Sequence, residues 1–235
     1  LVEALNLELG AGTYEWVDPG REFVDVSDAI SNGFIYKPAT TSLTGPPAIL
    51  SDATLPTGFT GETIFDGPST NRAVLAASFE ETASGEVFTA AVNHFKSKGS
   101  VFDPANEAAG DGQGNNNPLR TRAAEALDAW LQTDPTGVND PDFMILGDLN
   151  AYAMEDPITY LESAGYTDLA EAFVGSGSYS FVFDGQAGTL DYAMANTSLF
   201  GQVTGATEWH VNADEPDAID YNLDFGRDPA IFDAT

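Results

Sequence analysis

The chain has no cysteine, two histidines, and only 8 lysines and arginines against 37 aspartates and glutamates in 235 residues. Without cysteine there is no disulfide framework, no thiolate zinc site and no cysteine nucleophile. Two histidines argue against a multi-histidine metal centre. Apolar runs are short, Phe143-Met-Ile-Leu146 being among the longest, so no helix is expected to span or insert into a membrane. Nucleophile-elbow, Walker and dinucleotide-binding fingerprints are also missing.

The shortage of positive charge leaves a net charge of −29. Phosphate-binding proteins are usually basic, so the distribution matters more than the sum. Arg72, Lys96, Lys98, Arg120 and Arg122 are five of the eight basic residues and fall in one stretch of sequence. The rest is an acidic body of the kind that stays soluble in brine, where salt screens its repulsion of a polyanion. Hydrophobic residues make up 43% and aromatics 11%, enough for a packed core and too many for a disordered acidic chain. At ~150 residues per domain this is one large domain or two small ones. No linker or repeat divides it, so residues 1–235 are taken as one domain.

Short apolar segments alternate with Gly, Pro, Asn and Asp turns. Strands are predicted at Thr13–Val17, Gly33–Tyr36, Arg72–Phe79, Glu86–His94, Asp142–Leu146, Tyr179–Phe183, Thr189–Met194 and Ala206–Val211. Helices are predicted at Leu119–Leu131, after Pro118, and at Pro157–Ala164, with Asp156 as N-cap and Gly165 as the stop. Leu1, Val2, Leu5 and Leu9 read as a helix ending at Gly10. A chain that begins inside a helix without Met is expected to be an internal piece of a longer protein. Residues 97–117 form a long loop of a length that is often functional.

Three places carry candidate chemistry. Asp142-Phe-Met-Ile-Leu-Gly-Asp-Leu-Asn150 is a buried strand running into Asp148 and Asn150, which face the same way in extended chain. A carboxylate and an amide there can hold a water and a phosphate oxygen; the plain alternative is an Asx turn. His94 ends a strand beside Asn93, Lys96 and Lys98, a setting for an anionic phosphate group, or simply a strand-end histidine among solvated lysines. Asp191 lies in an apolar strand and needs a partner if it faces inward. The acidic loops, Asp103 to Asp111 and Asp214 to Asp220, have calcium-binding composition without EF-hand spacing.

Asn93-His-Phe-Lys-Ser-Lys98, Gly147-Asp-Leu-Asn150 and Leu190-Asp-Tyr192 resemble, in that order, the motifs of the endonuclease/exonuclease/phosphatase superfamily. The secreted bacterial extracellular nucleases are similar also at Ser31-Asn-Gly-Phe-Ile-Tyr-Lys-Pro38, Gly110-Asp-Gly-Gln-Gly114, Asn150-Ala-Tyr-Ala-Met-Glu-Asp-Pro157, Val182-Phe-Asp-Gly-Gln-Ala-Gly188 and Trp209-His-Val-Asn-Ala-Asp-Glu-Pro216. The resemblance implies an α+β fold, a four-layer α/β/β/α sandwich incomplete at both termini. It implies hydrolysis of phosphodiesters, those of extracellular DNA with RNA as a further candidate substrate, by in-line attack of water. His94 would contact the scissile phosphate, Asp148 would orient or deprotonate the water, Asn150 would bind phosphate, and Asp191 would orient a second histidine.

By the same resemblance Arg72 grips the backbone and Asp28 orients His94. Asn93, Lys96, Lys98, Arg120 and Arg122 are expected on the substrate. Mg2+ or Mn2+ is the implied cofactor, with Asp148 and Asn150 as its candidate ligands here and Ca2+ as a structural ion. The superfamily's metal-binding Asn and Glu would precede Leu1, and its Ser-Asp-His motif would follow Thr235. Asn115–Asn117 stands where many relatives carry a cysteine pair around the loop before helix 119–131, and His210 sits in a different motif from the missing histidine. A monomeric, extracellular or cell-surface bacterial protein of a saline environment is expected. The rivals are another phosphoesterase of the same fold, a phosphatase or sphingomyelinase-like enzyme, and a non-catalytic calcium-stabilised secreted module.

Overall fold

The computed structural model describes residues 1–20, 30–66, 69–183, 185–210 and 213. Asp28, the 214–220 loop and the end of the predicted strand Ala206–Val211 lie outside them. Its centre is a six-stranded mixed sheet. In chain order the strands are β1 (Glu15–Trp16), β2 (Ile35–Tyr36), β3 (Thr41–Leu50), β4 (Val74–Glu81), β5 (Val87–His94), β6 (Phe143–Asp148), β7 (Tyr166–Asp168), β8 (Phe181–Phe183), β9 (Gln186–Gly188) and β10 (Asp191–Asn196). The sheet order is β3-β4-β5-β6-β10-β7, while β1–β2 and β8–β9 are separate two-stranded ribbons.

The helices are α1 (Val2–Leu9), α2 (Asn117–Leu131), α3 (Asp156–Ser163), α4 (Leu169–Phe173) and α5 (Thr197–Phe200). β5 and β6 are the parallel pair, and parallel neighbours need a long crossover; the 97–117 loop and α2 supply it. Alternation along the strands divides the sheet's faces. Val74, Ala76, Ala91, Ile145, Tyr192 and Met194 pack under α2 and α3, with Ala123, Ala124, Ala126 and Leu127 of α2 fully buried. Three alanines on one helix let α2 lie close to the strands. Leu75, Ala77, Phe79 and Ala90 point to the opposite face, where Phe34 and Tyr36 from the β1–β2 region pack on Phe79. The central sheet and the helical layer of the sandwich are thus in place. Among the described residues the other face is met by the β1–β2 ribbon and, toward β10 and β7, by α4 and α5, whose Leu169 and Leu199 pack with Ala195, Ala193 and Met144.

Several boundaries differ from the sequence reading. β3 was not expected, because Gly45-Pro46-Pro47 interrupts it. It is an edge strand with a register shift between Thr44 and Ala48, where prolines without an N–H are tolerated. The strand expected at Tyr179–Phe183 is present as β8, while its partner β9 and the three-residue β7 were not expected and are too short to show a period. Residues 206–210 are not a strand. The N-cap of α3 is Glu155 rather than Asp156, and its side chain makes no capping bond because it is used elsewhere.

Candidate active site

Asp148 is the end of β6, and both neighbouring strands bring a candidate residue level with it. His94 of β5 is its register partner in the parallel pair, and Asp191 of β10 is its partner in the antiparallel pair. Arg72, just before β4, donates its backbone N–H to the His94 carbonyl at 3.2 Å. Four residues far apart in sequence therefore form one row across the end of the sheet. Alternation places His94, Asp148 and Asp191 on the face away from α2, since Ile145, Tyr192 and Met194 take the other.

The loop after β6 is folded by its own polar groups. The Asn150 backbone N–H donates to Asp148 Oδ1 at 2.8 Å, and its side-chain Nδ2 donates to Asp148 Oδ2 and to the Phe95 carbonyl, both at 3.0 Å. Asn150 has φ +50°, a left-handed conformation that asparagine tolerates better than most residues. Gly147 has φ +116°, and a Cβ there would lie 2.1 Å from the Asn93 carbonyl oxygen. Only glycine lets β5 and β6 approach at this point, one residue before the row.

His94 Nε2 lies 3.5 Å from Asp148 Oδ2, with the two side chains 26% and 31% exposed. That is open enough for a substrate phosphate and closed enough to perturb ionisation. Burial pushes the Asp148 carboxyl up to about 6, and the charge of Asp191 adds to the rise. The Asn150 N–H and the Lys98 and Arg72 charges pull the other way without cancelling it. A carboxylate that titrates near neutrality beside an imidazole is suited to accept a proton from water.

The remaining candidates are placed differently from expectation. Lys98 does not reach outward: its Nζ donates to the Asn150 carbonyl at 2.7 Å, pairs with Glu155 Oε1 at 3.2 Å and lies 4.4 Å over the Tyr152 ring. Arg120 is fully buried; it donates to the Lys96 and Asn115 carbonyls and pairs with Glu155 Oε2 at 3.3 Å. Helix α2 faces it inward, so it is an internal tie and not a backbone contact. Arg122 is committed to Glu62, Glu125 and the Phe59 ring, fixing the 58–62 segment to α2. Asn93 is 2% exposed and donates to the Ala91 and Leu146 carbonyls. Lys96 is buried and its ammonium donates to Ser100. The structure thus groups Arg72, His94, Asp148, Asn150 and Asp191, with Lys98 behind Asn150.

Magnesium sites use one or two carboxylates with retained waters and substrate oxygens. Each Asp148 oxygen accepts one hydrogen bond from Asn150 and keeps a further lone pair, while Asn150 presents its NH2 to Phe95 and Asp148. No group of three or more His, Asp or Glu that could hold a metal occurs among the described residues. Asp148 would hold such an ion together with retained waters and substrate oxygens, whereas Asn150 turns its NH2 toward Asp148, and no calcium cluster forms in the described part of the acidic loops.

Sequence reasoning missed Glu155, Gln113 and Asn117. The Asp156 N–H donates to Gln113 Oε1 at 2.8 Å and Asn117 Nδ2 donates to Asp156 Oδ2 at 2.6 Å. Two of the segments that carried the resemblance, 110–114 and 150–157, thus meet behind the site. A glutamate at a helix start reads as a dipole partner, which concealed its true use.

No protein-family model matches the sequence, and no curated protein matches it in sequence. Solved structures do match. An endonuclease/exonuclease/phosphatase family protein from Bacteroides thetaiotaomicron superposes with TM-score 0.55 at 14% identity, over 83% of this chain and 65% of that one. The mannosyl-6-phosphatase Bt3783 of the same organism gives 0.52 at 13%, over 82% and 66%. D. rerio TDP2 complexed with a single-strand DNA product gives 0.51 at 13%, over 83% and 66%. The chain spans about two thirds of the length of these proteins, and among the described residues no helix is long and apolar enough to cross a membrane. Its mixed α/β architecture, with one central six-stranded sheet, is the deoxyribonuclease-like fold of the endonuclease/exonuclease/phosphatase proteins.

Proposed function

We propose that this protein is a hydrolase of phosphate esters, and specifically a phosphodiesterase acting on extracellular DNA. The observation that carries this is the row Arg72–His94–Asp148–Asp191 at one end of the sheet. It combines an acceptor for a water proton, an imidazole and an arginine whose charge acts on Asp148. Asp148 takes the proton of the attacking water. His94 and Arg72 face the charge that develops on the phosphoryl oxygens, the kind of electrostatic stabilisation that dominates many hydrolases. Asn150 fixes the carboxylate's direction. RNA enters as a second substrate of the same chemistry, because the row addresses phosphate and not the sugar. An extracellular, saline setting and a monomeric state belong to the same proposal, supported by the acidic composition.

The test is turnover of bis(p-nitrophenyl) phosphate, plasmid DNA, RNA and mannose 6-phosphate with Mg2+ or Mn2+ supplied. Plasmid cleavage that falls at least ~100-fold in His94→Ala, the usual size of such an electrostatic contribution, is the expected result. Near-normal turnover in that variant would remove His94 from the reaction. The phosphatase neighbour supports a second reading, and hydrolysis of the monoester without the diesters would favour it.

A further inference from the structure

We propose that Glu155 is a positioning residue: acting through Lys98, it holds the Asp148–Asn150 turn in the geometry the reaction uses. The inference rests on the phosphodiesterase reading above.

Glu155 is 4% exposed and joins two cations, Lys98 through Oε1 and Arg120 through Oε2. A buried ionic triad is weak as a stability device, since apolar residues of similar volume often serve as well or better. Its geometry has a local target. Lys98 Nζ donates to the backbone carbonyl of Asn150 at 2.7 Å. Asn150 is held with φ +50°, and such a conformation persists when its surroundings over-determine it. The same residue supplies both hydrogen bonds that orient Asp148.

Lys98 cannot easily lean away. Its stem lies along Gly114, where a Cβ would come within 3.1 Å of Lys98 Cδ and Cε, and Asn115 Nδ2 donates to its carbonyl at 3.0 Å. Arg120 completes the frame by donating to the Lys96, Asn115 and Gln113 carbonyls. One carboxylate thereby ties three segments, 96–98, 113–120 and 150–155, and the path from it to the site runs through Lys98 and Asn150 to Asp148. Glu155 itself touches no reacting atom. A small displacement of Asp148 is enough to matter, since a 1 Å misplacement can cost on the order of 100-fold in rate.

Two variants separate positioning from bulk stability. Glu155→Gln keeps the shape and removes the charge. The pair Arg120→Met/Glu155→Leu leaves the local charge of the triad unchanged, with Lys98 alone in place of two cations and one anion. With bis(p-nitrophenyl) phosphate, kcat is expected to fall about 10-fold or more in both folded variants, with KM within about threefold. Amide hydrogen exchange at Leu149 and Asn150 is expected to speed by about 10-fold or more, with β5 and β6 ladder amides unchanged. Wild-type kcat and wild-type exchange in folded Glu155→Gln would overturn the proposal, as would a rise in KM alone. If the wild-type protein turns over no phosphodiester, the proposed function fails; the exchange measurement still decides whether Glu155 holds the turn.

Discussion

At the scale of single residues the site depends on two compromises. Asp148 is a carboxylate kept where its charge is disfavoured, pushed up to about 6 from 3.8 by burial and by Asp191. Between those pH values the folded state binds a proton that the unfolded state releases, so stability falls as pH rises through the window. Asp148→Asn removes the penalty and keeps an acceptor for the Asn150 N–H. It is expected to melt higher than wild type at pH 7 to 8, with the gap closing on acidification from pH 6 to pH 4, while losing turnover. Melting curves across that range check it. Wild-type turnover is expected to rise with pH through about 6 as the base ionises. Gly147 is the second compromise: its φ of +116° and its contact with the Asn93 carbonyl leave no room for a methyl group. Gly147→Ala is expected to cost more than about 3 kcal/mol by urea unfolding, combining backbone strain with a steric clash.

At the scale of elements, the parallel pair β5–β6 decides where the chemistry sits. Parallel strands end on the same side, so the ends of both segments, carrying His94 and Asp148, come level without any local signal. The crossover between them does more than connect. The 97–117 loop wraps Lys98, and α2 turns Arg120 inward beneath it. Charge in the 72–122 window suggested a surface that follows nucleic acid. Most of that charge is instead spent inside the chain, on Glu155, Glu62, Glu125 and backbone carbonyls. The motif Gly110–Gly114 is legible as similarity, yet its use became visible only where Gln113 accepts the Asp156 N–H and Gly114 makes room for Lys98. β3 shows the opposite failure: a Gly-Pro-Pro run reads as a turn and is a bulged edge strand.

At the scale of the whole molecule, the dominant fact is a charge of −29 on 235 residues. Self-repulsion of that size destabilises the compact state at low ionic strength, and salt relieves it because the Debye length falls from ~30 Å at 0.01 M to ~3 Å at 1 M. Melting temperature is expected to rise by about 5 °C or more between 0.01 M and 1 M NaCl. A flat or falling curve would count against a protein suited to brine. Beside the His94 imidazole, Arg72 is the cation at the row whose charge acts on Asp148. Substrate affinity is accordingly expected to rest on the single phosphate at the row more than on a long electrostatic track.

The sequence alone determined the α+β class, the strands that carry His94, Asp148 and Asp191, and the two principal helices. These follow from period and punctuation, which are local, and from motif order. It also isolated Asp148 and Asn150, because a strand running into two polar side chains is a local event. What only the tertiary structure decided is partnership. The register of β4, β5, β6 and β10 aligned four distant residues, and burial chose Glu155 to neutralise Lys98 and Arg120. Neither is written in any single segment, because register and burial are properties of pairs of elements and a buried charge is interpretable only once its partner is in place.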